Sequence, residues 1–564
     1  MTASKYFSAA LRRKHPSPHA RLPLSPASTE KTLKLHDLVL FGIGGALGSG
    51  LFLLTGRAAR DLAGPAVTMS FAVAAMACLF SALSYAEMSS RLPNSGGAYS
   101  FSYAGLGELP AFLVGMCLTL EYGVSAAAIA RSWASYLADA VPFLPSWATG
   151  VDSQFSFLAF LLVAALSVVL AMGMREAKWV INISTILYAL IVFIIIGFGS
   201  FNVDPSNWNP FLPFGFKGVI AASSAIFFSY VGFDEIATMS EEAIDAARTV
   251  PLAIILSMLA VTGMYIASSL ILTGLVNYSQ LNIDAPFSVA FRSVGLPLVA
   301  RIVAIGTALG MTNTAAVSLA AQPRIFLSMG RDGLLPRTFA RSTRTSTLLC
   351  GAIVSLLAAV VETQELADVV SGGTLLAFLA TNVTLLLTRT RIHSQTSKVP
   401  TVIYSFVVAS ALCGLFNKLA ASKALPSWIF MVVAIPACLV PALMLLFSEF
   451  EGGEDVERSP PAFLCPLVPL VPLFGTFTTC FLLFQLSQKA LTALCSWLIV
   501  SSAAYFMYGA HNALLANEYL ILHESPGDGS YNSFDDLAME ANSIASETPS
   551  DEILASPQET VEDP

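Results

Sequence analysis

"FGIGGALGSGLFLLTG", Phe41 to Gly56, holds six glycines in sixteen residues. It lies inside the first long apolar stretch of the chain, over 36–57. A segment that must satisfy its own backbone in lipid is thus built from the residue that holds a helix least well. Irregular backbone at membrane depth is tolerated only where it lines a cavity or is covered by protein. The stretch therefore predicts a membrane helix broken at Gly48-Ser49-Gly50, with a cavity beside the break.

The whole composition agrees with a membrane setting. Of 564 residues, 55% are hydrophobic and 12% charged, against about 25% charged in ordinary soluble domains. Apolar stretches long enough to span a bilayer recur to about Tyr508. We count fourteen, including 65–89, 108–140, 155–174, 178–201, 217–240, 249–276 and 287–329. A soluble enzyme with many helices would show polar faces that these stretches lack. Residues 1–34 read as a basic, disordered arm on the cytoplasmic side, without the apolar core of a signal peptide. Residues 35–392 read as a transport core, 393–515 as accessory spans 11–14, and 516–564 as an acidic disordered tail. Eleven of the 37 acidic residues follow Leu522, with no Lys or Arg among them, so the net charge of −8 resides in the tail.

Lys and Arg set the orientation. An inside N-terminus places Lys31, Lys34, Arg331, Arg337, Arg341 and Arg344 on the cytoplasmic side. The loops "VPFLPSWATGVDSQF", "FNVDPSNWNPFLP" and "ETQELADV", assigned outside, carry no base. With fourteen spans both termini are cytoplasmic. Eight cysteines without a CxxC pair read as inert buried thiols. His15, His19, His36, His393, His511 and His523 have no ligand spacing, so no metal site is expected. No GxxxxGK[ST] loop is present, which argues against ATP-driven pumping. No other cofactor and no nucleic acid partner is implied.

A second break falls in "AIFFSYVGFDEIAT", where Ser229 to Gly232 interrupt the sixth stretch. Two interrupted helices at matching places, first of spans 1–5 and first of spans 6–10, point to a transporter built from inverted repeats. Unwinding at Gly48, Ser49 and Gly50 frees N–H groups at the start of a half-helix, which attract an anion. Carbonyls near Ile43 and Gly44, and near Phe228, Ser229 and Val231, are acceptors for an ammonium. Donors and acceptors so close together suit an α-amino acid zwitterion. The alternative is that the glycines only let helices approach closely.

Several motifs carry a family resemblance. "GIGGALGSGLFLLTGRAARDLAGPAV" and "FFSYVGFDEIATMSEEAIDAARTVPLAI" resemble the first and sixth spans of the amino acid–polyamine–organocation transporters. "LEYGVSAAAIARSW" and "MREAKWVINIS" match the third and fifth. "CPLVPLVPLFGTFTTCFLLFQLSQKALTALCSWLIVSSAAYFMYGAHN" resembles the last two spans of the cationic amino acid transporter branch, including its plant members. The resemblance runs from Leu35 to Asn512. It implies an all-α polytopic membrane protein with a five-plus-five inverted-repeat fold of about fourteen helices, working by alternating access. It implies transport of amino acids, with a preference for arginine, lysine and ornithine, by a uniporter or with protons. It also implies a carboxylate on the amides of Ser49 and Gly50, an ammonium on the carbonyls of Ile43, Phe228 and Val231, and a side-chain pocket edged by Met311, Thr312 and Asn313. A neutral amino acid carrier and an amino acid sensor with little transport are the alternatives.

Charges inside the apolar stretches are further candidates. Glu121 falls mid-span and is either a proton carrier or a structural carboxyl paired near the breaks. Arg131, ten residues on, is expected to snorkel at the outer end. Tyr188 stands where some bacterial relatives place a lysine, and cannot replace it as a cation. Asp234 is expected to hold the unwound segment or cap the half-helix, while Glu241 and Glu242 read as a loop and possible gate. "NYS" at Asn277 is a glycosylation sequon in an outside loop. "YLIL" at Tyr519 and "YNSF" at Tyr531 have the spacing of sorting signals read by trafficking adaptors. The membrane is expected to be the plasma membrane, with the vacuole or lysosome as the alternative.

Overall fold

The computed structural model describes Arg12 and residues 31–48, 50–140, 145–149, 155–283, 285–360, 363–391, 398–421, 435–446 and 462–513. The acidic tail, the sorting-signal tyrosines and Ser49 lie outside them. Among the described residues the chain is helical throughout, with one isolated backbone bridge between Leu33 and Ala243. Eleven helical runs are long and apolar enough to cross a membrane, and three shorter apolar helices accompany them.

In chain order the principal helices are α1 (Leu35–Ala46), α2 (Val67–Arg91), α3 (Gly97–Gly105), α4 (Glu108–Thr119), α5 (Ser125–Ala140), α6 (Phe157–Met172), α7 (Met174–Ser200), α8 (Gly215–Ile226), α9 (Glu235–Thr238) and α10 (Ala246–Leu275). There follow α11 (Pro286–Ser293), α12 (Pro297–Arg331), α13 (Thr343–Val360), α14 (Thr363–Arg391), α15 (Val399–Ala421), α16 (Ile435–Leu446), α17 (Leu470–Gln485) and α18 (Gln488–Ala504).

The apolar pattern explains how they sit. On α7, Ile181, Thr185, Tyr188, Val192 and Ile195 are buried, while Val180, Ile183, Leu187, Leu190 and Phe193 are exposed. Both faces follow the 3.6-residue period, but the outward one is apolar, as lipid demands. α12 is the central post. It packs on α1, α5, α7 and α13, and its Gly306 and Gly310 admit Ile191 and Tyr188 of α7 into contact. α17 packs on α2, α14 and α15, so an accessory helix is fastened directly to the core. That joint is charged. Buried Glu87 accepts hydrogen bonds from Arg91 (2.7 Å), Arg389 (2.5 and 2.9 Å) and the Cys465 amide (2.8 Å).

Three expectations need correction. The long eighth stretch is two helices, α11 and α12, because Gly295 turns with φ +80° and Pro297 starts a new helix. The third stretch is not one regular helix: α4 and α5 are joined by a π-helical turn at Leu120–Val124, which carries Glu121. Arg131 does not snorkel. It is buried, and its guanidinium donates to the Ala359 carbonyl (3.0 Å) near the C-terminal end of α13, where a helix welcomes positive charge. The eight cysteines are free, seven buried and Cys495 exposed.

Candidate functional site

The first break begins where α1 stops. Its start is held by Asp37, which accepts from the Lys34 amide (2.9 Å) and from Asn182 of α7 (2.6 Å). It ends at Ala46 and resumes as a π-helical turn, Gly50–Leu54. The glycines here are required by close approach. A Cβ on Gly44 would lie 2.5 Å from Asn313 Nδ2, one on Gly48 would collide with the Thr314 side chain, and one on Gly50 would lie 2.5 Å from Ser229 Cβ. Hydroxyls satisfy the released carbonyls. Thr314 Oγ1 donates to Gly44 O (3.0 Å), and the Tyr188 hydroxyl donates to Leu47 O, with Gly48 O at 3.3 Å.

The second break follows α8. The chain tightens into a 3₁₀ turn at Phe227–Tyr230, extends at Val231, and turns at Gly232 with φ +128° before α9. Gly232 lies directly against the first break. A Cβ there would come within 2.8 Å of the Ala46 nitrogen and the Gly45 carbonyl carbon. The Tyr265 hydroxyl of α10 sits between the Ser229 carbonyl (2.7 Å) and the Ala46 carbonyl, one from each break. A phenol has a single proton, so it serves the two in turn. Asp234 braces the turn: Oδ1 accepts from the Gly232 amide (3.1 Å) and Oδ2 from the Tyr122 hydroxyl (2.6 Å).

Between the breaks is a small cavity lined by Gly45, Ala46, Gly50, Ser229 and Val231, and by side chains from α5, α9, α12 and the π-helical turn. The centre of a water molecule has only about 20 Å³ there, so anything larger enters only if the walls move. Two carboxylates face it. Glu235 Oε1 accepts from Ser318 (2.7 Å), while Glu235 Oε2 and both oxygens of Glu121 are buried without a hydrogen-bond partner. The remaining side chains of the lining are Ser125, Ile129, Phe228, Thr314 and Ser318, none of them basic.

The structure gathers some of the sequence-predicted residues and not others. Gly50, Phe228, Ser229, Val231 and Glu121 line the cavity. Gly48 sits behind it on Thr314. The Ile43 carbonyl accepts the Leu47 amide (2.9 Å) as an ordinary helix terminus, and the Phe228 carbonyl accepts the Val231 amide (3.2 Å). Met311 packs on Ile129 and Ala315, and Asn313 donates to Thr185 (2.9 Å) behind Gly44. Tyr188 and Asp234 act on the breaks and do not line the cavity. Sequence reasoning passed over Glu235, Thr314, Ser318 and Tyr265. A signal did exist: Thr314, Ser318 and Gln322 recur every four residues and so share one face of the helix.

Three cavities lie in series along α12. The central one touches Thr314 and Ser318. Toward the start of the helix is a vestibule of about 530 Å³ lined by Phe52, Trp133, Phe287, Arg292, Thr307 and Thr312, among others. Phe52 packs on Phe287 (5.3 Å) and Tyr188 (5.6 Å), a single aromatic layer between vestibule and central cavity. Toward Arg331, at the end that also carries Lys34 and Arg341, lies the third, of about 510 Å³. Ion pairs separate it from the centre. Arg324 binds Glu242 through two bonds (2.8 and 2.9 Å), and Arg331 binds Glu241 (3.0 Å). Burial works to raise the Glu241 carboxyl, but the Arg331 charge and hydrogen bonds from Ser95 outweigh it and hold it below the usual range.

Comparison with known proteins adds independent findings. The family model described as amino acid permease matches residues 33–443, and a model of the C-terminus of AA permease matches 463–513. The branched-chain amino acid permease BcaP of Bacillus subtilis (strain 168) is 39% identical over 388 residues, which are 65% of this chain and 83% of that protein. The methylthioribose transporter of the same organism is 37% identical over 424 residues, 72% and 91% of the two chains. Cationic amino acid transporter 4, vacuolar, of Arabidopsis thaliana is 31% identical over 573 aligned positions, 87% of this chain and 94% of that one.

Proposed function

The chain belongs to the amino acid permease family, a family of membrane transporters and not of enzymes, and from that premise we propose that it carries cationic amino acids held between its two helix breaks. Amino acid transport follows from the family; the choice of substrate is our reading of the site. The observation that carries it is the pair of buried carboxylates. Glu121 and Glu235 present three unpartnered oxygens to a cavity whose lining has no base. Buried acceptors without donors are costly, and a guanidinium or ammonium relieves that cost.

The backbone supplies the other half. The π-helical turn that starts at Gly50 offers amide donors and the positive end of a helix to the α-carboxylate. The second break offers the Val231 and Ser229 carbonyls to the α-ammonium. The substrate side chain then runs past Ser125 and Ile129 to the carboxylates. Access alternates: the Phe52 layer opens toward the vestibule, and the Glu241–Arg331 and Glu242–Arg324 pairs open toward the basic end. Glu121, buried mid-span in the π-helical turn, is the group we assign to proton coupling. We propose the plasma membrane as its location and, from the Lys and Arg bias of the loops, a cytoplasmic basic end.

Ile129 in the lining and the similarity to a branched-chain permease favour a second reading, a neutral amino acid carrier. Uptake of labelled arginine, lysine and leucine into proteoliposomes, with and without pH and sodium gradients, decides between them. Our reading expects saturable uptake of arginine and lysine well above leucine. Preferred leucine uptake selects the second reading, and no uptake of any of the three removes both.

A further inference from the structure

The third cavity takes no part in holding the substrate, yet it is far more basic than the vestibule or the central cavity. Arg175, Arg324, Arg331, Arg341 and Arg344 line it, against Glu176 and Glu242. Arg324 and Arg331 are engaged by Glu242 and Glu241. Arg175, Arg341 and Arg344 are exposed and form no ion pair among the described residues.

Two donors beneath this wall are also left without partners. Arg324 is 5% exposed, and its Nε is buried without a hydrogen-bond partner, as is Thr32 Oγ1 on the same wall. Two long helices also begin at this cavity: α7 just after Gly173, and α13 at Thr343. Their N-terminal dipoles add to the attraction for an anion. The ligand chemistry that fits is a phosphate, which accepts several planar guanidinium bonds at once.

The surroundings identify the source of that phosphate. Met172, on the cavity wall, is 65% exposed, and Trp179, one turn along α7, is 64% exposed. Below Trp179 run the exposed apolar residues Val180, Ile183, Leu187 and Leu190, the face that lipid covers. An amphipathic tryptophan beside basic residues at the end of an apolar face marks the membrane–water boundary. We propose that this cavity is a binding site for the phosphate head group of an anionic phospholipid, held by Arg175, Arg341 and Arg344 with its acyl chains along α6 and α7. The site abuts the two ion pairs that close this end of the pathway. A bound lipid is therefore placed to bias the closed state.

Native mass spectrometry of the purified full-length chain tests it, with phosphatidylglycerol and phosphatidylcholine as probes and sodium phosphate as the soluble arm. The wild type is expected to retain phosphatidylglycerol in preference to phosphatidylcholine. Arg175→Gln/Arg341→Gln/Arg344→Gln is expected to lose on the order of 100-fold in that affinity, taking each base near a membrane surface at its usual worth. Lys217→Gln/Arg292→Gln/Arg301→Gln removes equal charge at the opposite end and is expected to retain it. All three arginines are exposed, so the variant folds; an unchanged melting temperature in detergent checks this. Equal lipid retention by both triple variants overturns the proposal. So does competition by millimolar sodium phosphate that matches the lipid, which would make this a site for soluble anions.

Discussion

The two helix breaks face each other but are built in opposite ways. The first, around Ala46, Gly48 and Gly50, is rich in small residues. Its carbonyls are covered by hydroxyls from three other helices: Thr314 of α12, Tyr188 of α7 and Tyr265 of α10. The second, Phe227 to Asp234, has one glycine where the chain turns and is followed at once by Asp234 and Glu235. Asp234 turns inward to brace its own loop and Glu235 turns to the cavity. The difference teaches a division of labour. With its acceptors already covered, the first break is left to offer donors to an anion, and the second, rich in acceptors, is left to receive a cation.

The comparison can be broken most easily at its closest contact. Gly50→Leu drives a side chain into Ser229 across the cavity, and uptake is expected to vanish while surface biotinylation shows the protein present. Undiminished uptake would mean the breaks do not hold the substrate. Glu235→Gln sharpens the comparison from the other side. It keeps the shape and removes the charge, so arginine uptake is expected to fall at least about tenfold relative to leucine, a buried charged hydrogen bond being worth about 1.5–3 kcal/mol. Parallel loss of both substrates would make Glu235 a structural group.

Tyr265→Phe tests the link between the halves. It leaves the Ala46 and Ser229 carbonyls without a shared donor, a cost of about 1–3 kcal/mol, and a lowered melting temperature with reduced uptake is expected. An unaltered variant would show the hydroxyl to be incidental. The smallest effect is expected at the basic end. The folded Glu241 carboxyl is held below its usual value, so its pairing with Arg331 contributes above the unfolded pKa and is lost as pH falls through the folded one. The pair is partly exposed and worth about 0–1 kcal/mol. Acidification through that range is expected to raise the reactivity of a cysteine placed at Ser328, and Glu241→Gln to raise it already at neutral pH. Reactivity independent of both would detach this pair from the gate.

Much of this was legible in the sequence, for physical reasons. Gly48, Gly50 and Gly232 announced the breaks because few other residues allow such a backbone at membrane depth. Glu121 announced itself as a charge in an apolar stretch. Other parts were not legible. Asp234 and Glu235 are neighbours of the same charge, and only the turn at Gly232 decides which one meets the cavity. Thr314 and Ser318 line it while Met311 and Asn313 do not, because the rotation of α12 is set by Tyr188 and Ile191 packing onto Gly310 and Gly306. Arg131 reads as an interfacial anchor until the end of α13 is found beside it. Tyr188 reads in the sequence only as a residue that cannot serve as a cation, whereas its hydroxyl caps the backbone of the first break.

An experimental density map of the protein with arginine bound tests the central claim most directly. Ligand density is expected between Gly50 and Ser229, with the carboxylate on the first break and the guanidinium at Glu121 and Glu235. Density elsewhere, or two helices running unbroken through Gly48 and Gly232, would contradict it.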